Sequence, residues 1–260
     1  MARVFNGSTQ YCEVATPVVT GPPCTISAWI YCTAINRYQT VVAITRGTHG
    51  VFYDQFRLIV YDNNRVAADS FFGTTPTAAA TNVVVTVSLN TWHHVVGTFS
   101  TSAGQYAWLD GNKGANGGNC QTPAGLDRTS IGRQYVLSTQ YFPFQGRVAF
   151  PSVWNAVLSD DEIASLGQKL NGVPCGVHPT RIRPESLVAC WPLGGFDGDH
   201  DGDIWANAYN LTAYNSPTWD EGPAVLYSVP PQIIYPSPAG GGGIAKPALF
   251  NAHYQNQGWL

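Results

Sequence analysis

The residues of this sequence best suited to chemistry lie in one acidic loop. Asp197-Gly-Asp-His-Asp-Gly-Asp203 holds four aspartates within seven residues. Its start matches the first half of a D-x-D-x-D-G calcium loop, in which carboxylate oxygens alternate around a sharp turn. The second half differs, because position twelve is Ala208 and not a bidentate glutamate. Carboxylates packed this closely repel one another unless they are solvated or neutralised by a cation. Two interpretations therefore remain open, a solvated turn and a calcium site with the ligands Asp197, Asp199, Asp201 and Asp203.

The elements that would position such a loop are strands. Trp92 to Phe99 and Gln105 to Leu109 both alternate with a period of two, and Asp110-Gly111 follows as a tight turn. Nearly every position of the pair is apolar, which is typical of strands in the middle of a sheet that is covered on both sides. The pattern predicts a central hairpin.

Further strands are predicted on both sides of this hairpin. Residues 24–32 alternate with a period of two. Asp62-Asn63-Asn64 predicts a turn between strands 56–61 and 66–72, because these residue types tolerate a positive φ. The other predicted strands are 3–15 with a polar turn, 41–45, 83–89 and 146–154.

One helix is predicted, beginning at Ser159. Ser159 and Glu162 form a capping-box pattern, and Ile163, Leu166 and Leu170 share a helical spacing. Gly172 is the predicted stop.

Several of these segments resemble one known family. Trp92-His-His-Val-Val-Gly-Thr-Phe99 and Tyr106-Ala-Trp-Leu-Asp-Gly111 are similar to the central hairpin of laminin-G-like, concanavalin A-like jelly-roll domains. The segments that agree in order with this family are Phe5-Asn-Gly-Ser-Thr-Gln-Tyr11, Cys24 to Ile30, Ile131-Gly-Arg133, Phe144 to Trp154 and Leu158 to Leu166. The resemblance implies an all-β, two-sheet antiparallel jelly-roll sandwich. It does not fix a function, because this fold carries lectins, glycanases and structural proteins alike.

The segment after the helix resembles the piece that usually opens such domains. Leu187-Val-Ala-Cys-Trp-Pro-Leu193 and Pro217-Thr-Trp-Asp-Glu-Gly-Pro223 are similar to the family's first strands. The order therefore suggests a circular permutation, which sandwiches tolerate because their termini lie close together. We expect a single domain at 1–223, followed by an extended arm at 224–260.

Glycanase chemistry, which the fold also hosts, is not expected. It requires two carboxylates about 5 Å apart, which the family supplies from an E-x-D-x-E strand. The four glutamates, Glu13, Glu162, Glu185 and Glu221, show no such spacing, and no Gly-x-Ser-x-Gly elbow is present. His93 and His94 fall on opposite faces of one strand, which favours packing. The sequence predicts a protein that is not an enzyme.

Aromatic residues near loops are candidates for stacking on sugar rings. Trp205, Tyr209 and Trp219 are the predicted glycan-binding residues, and Tyr214 lies in the same region. The tryptophans inside predicted strands are expected in the core.

The composition limits the partners and the location. Charged residues make up 11% of the chain, and the net charge is −3 without a basic run. This argues against nucleic acid as a partner, and no apolar run approaches the ~20 residues of a membrane span. The N-terminus lacks a basic and apolar leader pattern, so we expect no cleaved signal peptide. The chain is then intracellular when made, mature as given, or released by a route other than a cleaved leader. The location expected from the favoured function is a virion surface or the outside of the cell. The six cysteines fit no zinc spacing and are expected as buried thiols, with Cys175 and Cys190 as the preferred pair if any is bonded.

The arm favours a role in assembly. Val229 to Pro238 is rich in proline, Gly240 to Gly243 forms a flexible joint, and the end is polar but studded with aromatic residues. Docking on neighbouring subunits is predicted for Tyr235, Phe250, Tyr254 and Trp259. The favoured function is thus a non-enzymatic assembly protein, such as a capsid decoration, cement or fibre component of a virion. The alternative is a calcium-assisted carbohydrate-binding module.

Overall fold

The chain folds into strands that make two large antiparallel sheets. The computed structural model describes residues 1–47, 54–73, 75–81, 85–136, 139–193 and 209–225, all within the first of the chain's two units, Met1–Ser228. In chain order the strands are β1 (Ala2–Asn6), β2 (Tyr11–Val14), β3 (Cys24–Cys32), β4 (Gln39–Thr45), β5 (Gln55–Val60), β6 (Val66–Phe72), β7 (Thr75–Thr81), β8 (Trp92–Ser100), β9 (Gly104–Leu109), β10 (Asn112–Lys113), β11 (Arg128–Ile131), β12 (Gln134–Val136), β13 (Thr139–Tyr141), β14 (Gln145–Trp154), β15 (Lys169–Leu170), β16 (Val173–Pro174), β17 (Leu187–Cys190), β18 (Thr212–Tyr214) and β19 (Thr218–Asp220).

The larger sheet has eight strands and is built around the predicted central hairpin. Its order is β10-β9-β8-β3-β14-β1-β19, and β17 also pairs with β14. β8 and β9 pair from Val95↔Leu109 to Ser100↔Gly104. Every residue of β8 except Trp92 is buried, which confirms its expected place inside the sheet.

The second sheet has seven strands in the order β18-β2-β11-β4-β5-β6-β7. The predicted hairpin of β5 and β6 is present, and Asn64 in its turn has a φ of 63°. The two sheets enclose one main core, which includes Phe5, Ile26, Ile44, Leu58 and Phe99. The chain is therefore the all-β antiparallel sandwich that the sequence predicts.

The predicted helix begins as expected but ends early. α1 (Asp160–Leu166) has Ser159 as its N-cap. The Ser159 side chain accepts a hydrogen bond from the Glu162 amide, and the Glu162 carboxylate accepts one from the Ser159 amide. The predicted end at Gly172 is wrong, because Gly167 caps the helix and the chain turns into the small hairpin of β15 and β16. Leu170 is consequently 68% exposed and does not share the buried face of Ile163 and Leu166. Two 3-10 turns, Pro179–Arg181 and Pro184–Ser186, lead on to β17.

The strands after α1 complete both sheets. β17 pairs with β14, β18 with β2, and β19 with β1. β18 and β19 thus form the outermost strands of the two different sheets, and the chain crosses from one sheet to the other at residues 215–217.

Two smaller expectations also have outcomes. Residues 85–88 form no strand, and Leu89 makes only an isolated bridge to Cys32, so the predicted strand at 83–89 is wrong in its described part. The six cysteines are thiols; all except the partly exposed Cys175 are buried.

In the described ranges, no helix has the length and apolar character needed to cross a membrane.

Candidate functional site

Only two of the predicted site residues fall where the structure describes the chain. These are Tyr209 and Trp219. The residues that lie outside the described ranges are Asp197, Asp199, Asp201, Asp203, Trp205, Tyr235, Phe250, Tyr254 and Trp259. Within the described ranges, no group of three or more His, Cys, Asp or Glu residues could hold a metal ion.

Trp219 lies where a sugar-binding tryptophan would be accessible, on the outermost strand of the eight-stranded sheet. It is 48% exposed, although most of the large apolar residues that the structure describes are buried. Trp219 is the cross-strand partner of Arg3, and the Arg3 guanidinium carbon lies 4.6 Å from the centre of the indole. Arg3 Nη1 also donates to the Pro217 carbonyl over 3.1 Å. The indole is therefore held in place by a cation on one face.

An open cavity of about 470 Å³ lies beside this indole. It is lined by Arg3, Ala213 and every residue from Asn215 to Trp219. We call this set the edge site, because it lies where the outermost strands of the two sheets meet. Its lining combines a flat aromatic ring with a guanidinium, an amide and hydroxyl groups, which are the groups that stack on sugar rings and bond their hydroxyls.

The turn that forms the floor of the edge site has an unusual backbone. Asn215 and Ser216 are consecutive residues in the left-handed region, with φ of 59° and 51°. Two bonds from Gln10 Nε2 hold the turn, to the carbonyls of Asn215 and Ser216 over 3.1 Å each. Asn215 Nδ2 in addition donates to the Thr9 carbonyl over 2.7 Å. A non-glycine residue in this region costs roughly 1–3 kcal/mol, and such strain concentrates at ligand sites.

A stack of rings and guanidinium groups ends at the same edge. It consists of Tyr214, Tyr11, Arg133, Tyr135 and Arg128, and we call it the tyrosine–arginine stack. The rings of Tyr214 and Tyr11 are parallel within 13°, with centres 4.5 Å apart. The Arg133 guanidinium lies 3.2 Å from the centre of Tyr11 and 4.5 Å from that of Tyr135, and Arg128 lies 4.2 Å from Tyr135.

Glu13 fixes the charged members of this stack. Its Oε2 accepts from Arg133 Nη2 and from the Ser130 hydroxyl, each over 2.7 Å. Arg128 Nη1 approaches Oε1 at 3.5 Å. The side chain of Arg133 is only 2% exposed and that of Glu13 10%, so water screens this pair weakly. The stack is thus anchored at its inner end.

A polar row continues across the outward face of the seven-stranded sheet. Glu13, Ser130, Ala43, Arg57 and Asp69 lie side by side in register on five neighbouring strands. Arg57 pairs with Asp69 and donates to the side chain of Gln134 in β12. Because these charges are buried and partnered within the chain, the row ties the hairpin of β12 and β13 to the sheet.

His93 of the central hairpin lies between Asp110 and Ser88. His93 Nδ1 lies 2.7 Å from Asp110 Oδ2, and Nε2 lies 2.9 Å from the Ser88 hydroxyl. The Ser88 amide also donates to Nε2 over 3.2 Å. That amide therefore points at the imidazole and is not directed at the carbonyl oxygen of a substrate, where the oxyanion forms when a serine attacks. Burial opposes ionisation of Asp110, but hydrogen bonds from His93, Lys169 and the His94 amide outweigh it and hold its pKa below the usual value.

Tyr209, the other predicted residue that the structure describes, is not an exposed ring. It is partly buried against the main core, and its carbonyl accepts a bond from Trp191 Nε1 over 2.6 Å. Of the two predicted glycan-binding residues that the structure describes, Trp219 is thus the exposed one. The partners that sequence reasoning missed are Arg3 and Arg133, because their pairings join residues far apart in the chain. The double tyrosine of the stack could have been found only from the register of β2 and β18.

Comparison with known proteins gives one family match. The model of the concanavalin A-like lectin/glucanases superfamily matches residues 6–164, which is more than half of the chain. No curated protein sequence matches this chain.

Solved structures with a similar fold include a putative carbohydrate binding protein from Bacteroides ovatus. Its identity to this chain is 19% and the TM-score is 0.56, over 86% of this chain and 61% of that protein. The module CBM40 of the Ruminococcus gnavus IT-sialidase is 16% identical in its complex with alpha2,3 sialyllactose, with a TM-score of 0.55 over 65% of this chain and 98% of the module. A leech intramolecular trans-sialidase is 14% identical with a TM-score of 0.54, over 65% of this chain but 28% of that enzyme. At these identities the likeness establishes the fold.

Proposed function

This chain belongs to the concanavalin A-like lectin/glucanases superfamily, and from that premise we propose that it is a carbohydrate-binding module without catalytic activity. The observation that carries the proposal is the half-exposed indole of Trp219 beside an open cavity that also has amide and hydroxyl groups in its lining. The C–H face of a pyranose ring is apolar and can pack on the flat indole. The amide and hydroxyl groups around the indole can form hydrogen bonds with the hydroxyl groups of the sugar.

The similar structures support a glycan as the ligand. One is described as a putative carbohydrate binding protein and another as a module bound to sialyllactose. In the leech trans-sialidase the likeness covers only 28% of the enzyme, so a small part of that protein carries the common fold. The sequence supports a non-catalytic role, because no glutamate pair has the spacing of a glycosidase.

Binding by Trp219→Ala protein tests the proposal directly. The full chain would be screened against a glycan array, and its affinity for each hit would be measured by calorimetry. We expect Trp219→Ala to lower the affinity about tenfold, since an aromatic contact is worth roughly 0.5–1.5 kcal/mol in addition to the apolar area that it buries. The matched control is Phe72→Ala, since Phe72 is 51% exposed but lies on β6, far along the other sheet. Equal binding by both variants would refute the edge site.

Two further expectations remain predictions. Calcium at the acidic loop would raise the midpoint of thermal unfolding, and Asp199→Ala would remove that rise while leaving the midpoint in EDTA unchanged. Assembly through the C-terminal arm is a separate hypothesis that glycan binding at the edge site neither requires nor excludes.

A further inference from the structure

Tyr214 presents one free ring face at the same edge as Trp219. β18 is the last strand of its sheet, and Tyr214 pairs directly with Tyr11 on the next strand inward. The 4.5 Å between their ring centres is close to the spacing of neighbouring strands, about 4.8 Å. The stack therefore runs across the strands, and the uncovered face of Tyr214 points off the end of the sheet. Tyr214 is 39% exposed, whereas Tyr11 behind it is 8% exposed.

The free face of Tyr214 is held rigidly. Tyr11 lies between Tyr214 and the Arg133 guanidinium, and Arg133 is bonded to Glu13 over 2.7 Å. A ring that is fixed before binding loses little conformational entropy when a ligand stacks on it. Simple burial of a core ring does not account for this arrangement, because the outermost face of the stack stays open.

Tyr214 and Trp219 belong to different sheets. Their side chains extend from β18 and β19, which are joined by the turn at 215–217. Tyr214 pairs with Tyr11, which shares the outward face of its sheet with Glu13. Trp219 pairs with Arg3, which shares a strand face with the core residue Phe5. The two rings therefore project from different faces of the sandwich, and we assign a separate sugar unit to each.

Building on the carbohydrate-binding role proposed above, we infer that the site has two stacking platforms, Trp219 and Tyr214, and takes an oligosaccharide chain that crosses the edge of the sandwich. The unit at Trp219 lies over the cavity, next to the exposed residues Asn215 and Ser216. A further unit of the same chain lies on the outer face of Tyr214. Tyr214 is thus a residue that determines the length of ligand recognised.

Affinity as a function of chain length tests this inference. Gluco-, xylo- and chito-oligosaccharides of one to six units, together with sialyllactose, would be titrated into the full chain and into Trp219→Ala, Tyr214→Leu and Tyr214→Phe. Leucine keeps apolar cover on Tyr11 but removes the flat ring, and phenylalanine keeps the ring. Thermal unfolding of each variant checks that the fold is intact.

We expect the affinity of the unaltered chain to rise with length for the class that binds. Tyr214→Leu should lose about tenfold for the longer members and nothing for the shortest, while Tyr214→Phe should resemble the unaltered chain. Trp219→Ala should lose binding at every length. If Tyr214→Leu binds every length like the unaltered chain while Trp219→Ala does not, the second platform is wrong and the carbohydrate-binding role stands. If no probe binds, or Trp219→Ala binds normally, the proposed function fails and the inference fails with it.

Discussion

At the scale of single residues, His94 links the fold to pH. Its side chain is 2% exposed, and burial lowers its pKa to about 3, with opposing contributions from Asp110, which raises it, and Lys169, which lowers it. In the unfolded chain the His94 imidazole is protonated as the pH falls through about 6.5. In the folded chain it is protonated only near pH 3. The stability from this residue is therefore complete above pH 6.5 and is lost as the pH falls below it.

We expect His94→Gln to weaken this pH dependence. Between pH 7 and pH 5, His94 should lower the unfolding free energy of the unaltered chain by roughly 2 kcal/mol. The total loss over this pH range should therefore be smaller in the variant by about 2 kcal/mol. Urea unfolding at the two pH values measures the difference. An identical loss in both proteins would show that His94 does not bear the linkage.

The two arginines around Glu13 should differ in their effect on stability. Arg133 lies 2.7 Å from Glu13 and is almost fully buried, whereas Arg128 lies 3.5 Å away and is 16% exposed. Removing one member of a buried pair strands the other charge. Arg133→Met should cost roughly 3 kcal/mol and Arg128→Met about 1 kcal/mol, as measured by denaturant unfolding. Equal costs would contradict the role of Arg133 as the anchor of the tyrosine–arginine stack.

At the scale of elements, local patterns predicted the start of a segment better than its end. The capping box of α1 was readable because Ser159 and Glu162 satisfy each other within one turn. The spacing of Leu166 and Leu170 suggested a longer helix, but Asn171 and Gly172 have φ of 51° and 80°. Those angles favour a tight hairpin turn between β15 and β16. Two local patterns thus competed at the same residues, and the turn prevailed.

The pairing of β14 with β3 requires a glycine at position 146. Its φ is 137°, and a Cβ there would collide with the Tyr31 carbonyl of the neighbouring β3. Gly146→Ala should therefore cost roughly 3–5 kcal/mol of unfolding free energy. The control is Gly118→Ala, since Gly118 also has a positive φ, 88°, but no atom lies near its added Cβ; its cost should be about 1 kcal/mol. Thermal unfolding of the two variants compares them, and a small effect at Gly146 would mean that β3 and β14 can separate.

At the scale of the whole molecule, the fold was predictable and the edge site only in part. The sandwich followed from alternating strands and from the family resemblance of the central hairpin. Trp219 could be named from its place near a loop. Its partners could not, because Arg3 meets residue 219 and Arg133 meets Glu13 only once strands distant in sequence have paired.

The two functions suggested by the sequence can be separated by shortening the chain. All described strands, with Tyr214 and Trp219, lie within Met1–Ser228, whereas the predicted docking residues Phe250, Tyr254 and Trp259 follow it. A chain that ends at Ser228 should therefore bind glycan with unchanged affinity. If the arm mediates assembly, light scattering should show that association of the full chain is lost in the short one. Loss of glycan affinity in a well-folded short chain would instead mean that the arm contributes to the binding site. Glycan binding could then not be assigned to Met1–Ser228 alone.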